Sequence, residues 1–355
     1  MITKSKLIKI AGAGPAGLTA AIILAKNGYE VKVYEQHSRV GSRFNDDYQG
    51  LENWSREEDV LEELKDSEIE TTWWCKPFDG GVLFDPKFRP IDIFSDRPLF
   101  YMIRRGPYHP ESLDLNLLNQ AKSAGVDIVF NTRKNPEDVD VVAGGPRGRP
   151  SAIAAGITFN TQYKDFACAI LNEKLAPSGY AYFLVSEGQA TLATVLFKDF
   201  NNVHQCLKDS RLAIIDLMGI NDIENVKQWG GYGSFSVPKS GEKNGVLYIG
   251  EAAGFQDFLF GFGIRNAMIS GKLAAISIIN GKKFDDLWNS RLLPHLQASL
   301  VNRYVYDKLG GVAKKAFWYF SGNSAQPDRF MHWLYGYSPI HRFLFPLLQK
   351  REIDG

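Results

Sequence analysis

The chain has 355 residues, 45% of them hydrophobic, with 41 basic side chains against 40 acidic ones. That length suggests about two domains, and the balanced charge leaves no bulk field to attract nucleic acid or an acidic partner. Three cysteines, Cys75, Cys168 and Cys206, are widely spaced and odd in number, which argues against a disulfide framework. They form no C-x-x-C pair, so no metal site is expected. No signal-peptide pattern opens the chain, which makes the cytoplasm the expected compartment.

The first apolar run, residues 7–11, has strand length. Gly12, Gly14 and Gly17 follow in G-x-G-x-x-G spacing with Pro15 and Ala16 inside it. Leu18, Ala21, Ile22 and Ala25 then recur at helical spacing until Asn27-Gly28 ends the helix. A second strand, residues 29–34, finishes at Glu35. This is the pattern of a dinucleotide-binding β-α-β unit. Gly12 permits the tight turn, Gly14 admits backbone N–H groups to a pyrophosphate, and Gly17 lets helix and strand pack closely. The helix N-terminus offers partial positive charge and unpaired donors. Glu35 falls where a carboxylate accepts hydrogen bonds from a ribose diol.

Residues 36–50 read as a polar loop in which Arg43 would lie near those phosphates, and residues 57–64 as a surface helix. Strands are expected at 82–84, 91–94 and 99–103, separated by turn residues, as part of an antiparallel sheet inserted into the nucleotide-binding domain. Ser112 opens a helix with Leu115, Leu118 and Ala121 on one face. Strands at 126–130 and 139–143 follow, the second running into Gly144-Gly145-Pro146. That alternation is what a doubly wound sheet requires. Residues 157–235 are strand-rich again, at 166–171, 180–185 and 191–197, with helices expected at 200–209 and 214–218.

A buried strand at 245–250 then meets Gly250-Glu251-Ala252-Ala253-Gly254. The loop Gly261-Phe262-Gly263-Ile264 leads into a helix to residue 280, rich in small residues and stopped by Gly281. Residues 285–355 are helical, aromatic and mildly basic, with 317–320 and 330–345 standing out. Those aromatics serve either as core or as a peripheral membrane-facing surface. The expected architecture is α/β. A Rossmann-like FAD-binding domain (1–72, 98–156 and 236–284) holds an antiparallel-sheet substrate domain (73–97 and 157–235), and a C-terminal helical region (285–355) follows.

Taken together, the two glycine turns resemble those of FAD-dependent oxidoreductases of the geranylgeranyl reductase family, within the para-hydroxybenzoate hydroxylase-like group. The resemblance covers about the first 280 residues. In that group the fingerprint of Gly12, Gly14 and Gly17 with Glu35 binds the ADP half of FAD. Gly250-Glu251-Ala252-Ala253-Gly254 is similar to the family's G-D-A-A-G, whose acid contacts the ribityl chain, and the glycines after it place N–H groups by the isoalloxazine. Pro177-Ser178-Gly179-Tyr180-Ala181-Tyr182-Phe183-Leu184 looks like the motif P-x-x-Y-x-W-x-F-P, which lines the substrate cavity. Arg104 and Arg105 precede Leu113-Asp114 as the group's flavin-contacting arginine does, and Arg105 is the preferred match.

The departures bear on substrate and reaction. Glu251 stands for the usual Asp, Tyr182 for Trp, Leu184 for Phe and Val185 for Pro. Gly144-Gly145 occupies the place of the hydroxylases' D-G pair, which weakens a case for NAD(P)H-driven hydroxylation. Phe255-Gln256-Asp257 resembles the F-I-D of flavin-dependent halogenases, but W-x-W-x-I-P is missing and Phe258 replaces the proline.

The resemblance implies a flavoenzyme that reduces or oxidises a C=C or C–C bond of an apolar, isoprenoid- or lipid-like substrate, hydride passing through flavin N5. A glycine loop before a helix points N–H donors and a dipole at the flavin N1–C2 carbonyl, where charge builds on reduction. Tyr180, Tyr182 and Cys75 are the candidate acids. One alternative is a monooxygenase of an aromatic or polyketide-like substrate, and another is a non-catalytic flavin-binding partner protein. No second G-x-G-x-x-G is present, so the electron donor is NAD(P)H, ferredoxin or a quinone.

Overall fold

The computed structural model describes residues 6–310 and 327–353. The chain begins β1 (Leu7–Ala11), α1 (Pro15–Lys26), β2 (Glu30–Tyr34), β3 (Asp47–Glu52), α2 (Val60–Lys65), β4 (Cys75–Phe78), β5 (Gly80–Phe84), β6 (Pro90–Phe94) and β7 (Phe100–Arg105). It continues α3 (Leu113–Ser123), β8 (Asp127–Val129), β9 (Val141–Val142), β10 (Ala152–Asn160), β11 (Phe166–Ile170), β12 (Tyr180–Ser186), β13 (Gln189–Leu196), α4 (Val203–Met218) and β14 (Glu224–Gly233). It closes with β15 (Glu242–Lys243), β16 (Val246–Tyr248), α5 (Ile264–Asn280), α6 (Phe284–Arg291), α7 (Leu293–Leu309), α8 (Pro327–Tyr335) and α9 (Pro339–Ile353).

Three sheets organise these elements. The first has six strands in the order β15-β16-β9-β1-β2-β8, parallel throughout except for the β15 edge. Helix α1 is buried nearly all round, because α3 and α5 both pack against it. The second sheet has seven strands in the order β14-β10-β13-β12-β11-β5-β6, antiparallel except where β11 meets β5. Alternation along β12 sorts its two faces. Ala181, Phe183 and Val185 join a core with Cys206, Leu207 and Ile214 of α4, while Tyr180, Tyr182 and Leu184 take the opposite face. The third sheet is antiparallel, in the order β3-β7-β4.

Five expectations change here. The polar loop 36–50 already contains the start of β3, whose acids, glutamine and glycine disguise a strand that pairs along its length with β7. The strand expected at 99–103 therefore belongs to the small sheet, not beside β6. The helices expected at 200–209 and 214–218 are one, α4, since residues 210–213 contain no breaker. The surface helix starts at Val60, where the Asp59 carboxylate accepts from Leu61 N at 2.9 Å. Strand β10 runs unbroken through residue 156. The aromatic run 317–320 lies outside the described residues.

Candidate functional site

A cavity of about 860 Å³ lies between the parallel sheet and the seven-stranded sheet. Two helices aim into it. Helices α1 and α5 cross so closely that a Cβ on Gly271 would sit 2.3 Å from the Ala16 carbonyl oxygen. A Cβ on Gly250 would likewise lie 2.9 Å from the Ala16 Cβ. This contact packs the first turn of α1 against the body of α5, and the starts of both helices open on the cavity. Neither has a side-chain cap and neither has an acid in its first turn, whereas α2 and α3 are capped by Asp59 and Ser112. Gly14, Pro15 and Ala16 of one start and Gly263 and Ile264 of the other line the cavity. Unpaired first-turn N–H groups and two helix dipoles therefore face the same space, which suits anionic groups of a ligand.

The glycine fingerprint has the geometry its spacing implies. Gly12 has φ +107°, and a Cβ there would lie 2.4 Å from the Ala143 carbonyl oxygen. At Gly17 a Cβ would come 2.0 Å from the Gly12 oxygen, so Gly17 serves helix–strand contact and does not line the cavity. Around Gly14 the space is open to 4 Å. Glu35 reaches the cavity with its two carboxylate oxygens accepting from Ala13 N and His37 N, each at 2.9 Å. Those bonds fix its orientation and leave lone pairs for a ribose diol.

Arg43 and Glu251, 208 positions apart, meet at 3.4 Å on the cavity wall. Burial pushes the Glu251 carboxyl up, against the Arg43 charge that favours its ionised form. Of the paired arginines, Arg105 lines the cavity. Its Nε and Nη2 donate to the two Asp114 oxygens at 2.9 and 3.0 Å, and its guanidinium lies 4.5 Å from the Phe44 ring centre. Arg104 turns the other way, to Gln189 and Glu187.

The loop before α5 is held by Gln256, Asp257 and Phe262. The Asp257 carboxylate accepts from Leu259, Phe260 and Gly261 N at 3.1, 2.7 and 3.1 Å. Burial raises it to about 6, those hydrogen bonds opposing. Gln256 Nε2 donates to the Gly261 carbonyl at 2.7 Å, and Phe262 stands edge-on to Trp54 at 4.6 Å. In sequence this is legible only as an aspartate able to turn the backbone ahead of it. Beneath the loop, Arg265 donates through Nε and Nη2 to Glu63 Oε2 at 3.0 and 2.8 Å. Arg56 and Arg291 share the other oxygen, each at 3.1 Å. Burial opposes ionisation of Glu63, but the three guanidinium groups outweigh it and hold the carboxyl below the usual range.

The catalytic candidates separate. Tyr180 donates its hydroxyl to the Phe260 carbonyl at 2.8 Å. Tyr182 lines the cavity and its hydroxyl has no hydrogen-bond partner among the described residues. Burial, then the Asp47 charge, keeps the Tyr182 phenol protonated far up the pH scale. Cys75 drops out, because it sits in β4 opposite Ile103, away from the cavity, with its thiol pushed up to about 12 by burial. Gly250 and Gly254 do not line the cavity either. Both have positive φ and act in packing, against Ala16 and Ser236.

Comparison with known proteins agrees with this architecture. A model described as an NAD(P)-binding Rossmann-like domain matches residues 10–50. A digeranylgeranylglycerophospholipid reductase of Methanosarcina mazei is 26% identical over 75% of this chain and 73% of its own. Among solved structures, a geranylgeranyl bacteriochlorophyll reductase-like protein of Thermoplasma acidophilum superimposes with a TM-score of 0.70, covering 99% of both chains at 17% identity. The flavin-dependent brominase Bmp2 superimposes at 0.64, covering 98% of this chain and 99% of its own at 16% identity. Fold and site together define an FAD-dependent oxidoreductase. In sequence the chain is similar to a protein named digeranylgeranylglycerophospholipid reductase, and in fold to one described as geranylgeranyl bacteriochlorophyll reductase-like.

FAD fits the residues present. The open space at Gly14 and the uncapped start of α1 suit its pyrophosphate, Glu35 its adenosine ribose, Glu251 its ribityl chain, and the uncapped start of α5 its flavin carbonyl.

Proposed function

We propose that this protein reduces C=C bonds of an apolar, isoprenoid-like lipid such as a digeranylgeranylglycerophospholipid. The observation that supports this reading best is the continuity of one cavity. It runs from Gly14 and Glu35, past Gly261 and Gly263, to an apolar wall that includes Leu83, Ile93, Ala169 and Leu184. FAD held there would supply, from its reduced ring, the hydride for one carbon of the double bond. The α5 start offers N–H donors to negative charge on the ring, and Arg105, clamped by Asp114, keeps a fixed positive charge nearby. Tyr182 holds the one candidate hydroxyl that is both unbonded and turned to the cavity, so it delivers the proton to the second carbon. Tyr180, tied to Phe260, shapes the wall. On this reading the parallel sheet carries the cofactor and the seven-stranded sheet the substrate.

The test is anaerobic incubation of dithionite-reduced holoprotein with that lipid, followed by mass spectrometry. The reading expects a gain of two hydrogens per double bond, and a slower reaction in Tyr182→Phe with flavin binding unchanged. Unchanged lipid contradicts it. Oxygen incorporated only when air is admitted supports the monooxygenase alternative. Repeating the assay with NADPH, reduced ferredoxin or a quinol in place of dithionite identifies the donor.

A further inference from the structure

Helix α9 is apolar on two sides. His341, Phe345 and Leu348 are buried, Phe345 and Leu348 in the main core, and His341 Nε2 lies 3.1 Å from Asn302 Oδ1 of α7. The opposite side should then be polar, yet Ile340 and Phe343 are 67% and 73% exposed and Leu347 more than half. Across the short break at Gly336, Trp333 of α8 extends the same patch at 74% exposure. The patch does not end at the surface. The Trp333 ring stacks on Phe330, centroids 6.1 Å apart, and Phe330 and Met331 line the cavity. An apolar path therefore runs from exposed helix face to cavity wall.

Charge points to the partner. In the sequence, residues 311–355 carry six basic side chains (Lys314, Lys315, Arg329, Arg342, Lys350, Arg351) against three acidic ones (Asp328, Glu352, Asp354). The whole chain is +1, so this segment is basic while the remainder is acidic. Among the described residues no helix is long and apolar enough to cross a membrane. Exposed Trp, Ile, Phe and Leu flanked by Lys and Arg is the chemistry of a helix that lies in a bilayer interface and favours anionic lipid.

We propose that the outer face of α8 and α9 docks on an anionic lipid surface and holds the cavity against it, so that an apolar substrate enters past Phe330 and Met331. The entry route rests on the reading of the substrate as a lipid, whereas the docking does not. The full-length holoprotein is sedimented with vesicles of phosphatidylglycerol and phosphatidylcholine in equal parts, and with phosphatidylcholine alone. Wild type is expected to pellet with the anionic vesicles, less so at high salt. Trp333→Ser and Phe343→Ser each weaken partitioning about tenfold, the effect of returning one large apolar side chain to water, and Arg342→Glu weakens it on anionic vesicles only. Leu212→Ser, on exposed α4 far from this face, changes nothing. All variants change exposed residues, so their melting temperatures should match wild type.

Wild type that stays in the supernatant, or face variants that pellet like wild type, overturns the proposal. So does a wild-type dimer that the same substitutions make monomeric without any vesicle binding, since a second copy would then cover the face. Reduction of lipid dispersed in detergent should survive these substitutions while reduction of lipid in vesicles falls. If wild type reduces neither form, the substrate reading fails and the sedimentation result alone decides docking.

Discussion

Asp47 is fully buried on β3, opposite Arg105 of β7, with its carboxylate accepting from Asn45 N and Gln49 Nε2 at 3.0 and 2.8 Å. Burial still dominates and lifts its pKa from the ordinary 3.8 to about 7. Between those values the folded protein binds a proton that the unfolded chain has released, so stability falls as pH rises through that window. Asp47→Asn removes the cost of ionising the group. Denaturant titrations should show the variant gaining on wild type as pH rises, by on the order of 1 to 3 kcal/mol above the window. A difference that is flat with pH would contradict the assignment. Nothing in the local sequence marks Asp47 as special, because its burial comes from a pairing partner 58 positions away. Cys75 lies away from the cavity for the same reason: which way a strand residue points follows from pairing with β7, and the sequence of β4 alone is silent on it.

Elements set the glycine loop ahead of α5. Helix α5 is anchored by Arg265 in its first turn, and Arg265 by Glu63 of α2, with Arg56 and Arg291 on the same carboxylate. Glu63→Gln leaves three guanidinium groups short of their shared acid. Removing one member of a buried charge cluster typically costs about 3 to 5 kcal/mol. Thermal denaturation should show a clear fall in melting temperature and FAD binding should weaken with it; an unchanged melting temperature would mean that the cluster is relaxed by solvent. The β-α-β unit and α5 were legible in sequence because their signals are local: strand length, glycine spacing and a helical period. β3 was not, since a strand with polar residues and Gly50 reads as a loop until β7 is beside it. The Glu63 cluster was hidden too, because its members sit at positions 56, 63, 265 and 291 and each reads alone as a solvated surface charge.

At the scale of the molecule, the C-terminal helices are structural partners of the site. Arg303 of α7 donates to the Ser178 and Leu259 carbonyls at 2.6 and 3.2 Å, which ties α7 to the head of β12 and to the loop ahead of α5. Its guanidinium also lies 4.0 Å from the Phe197 ring centre. Phe330 and Met331 of α8 line the cavity together with residues of the parallel and seven-stranded sheets, so its wall comes from distant stretches of chain. Sequence signals for such a wall are diffuse, whereas those for the cofactor are concentrated in two glycine turns. Both turns converge on one space through the α1–α5 crossing, and the whole account depends on that convergence. Its most direct test is titration of apoprotein with FAD, followed by visible absorbance and quenching of flavin fluorescence. The account predicts saturation at one FAD per chain with a perturbed flavin band, and loss of binding in Gly12→Val. A protein that stays colourless in excess FAD, or a Gly12→Val variant that binds as wild type does, would contradict it.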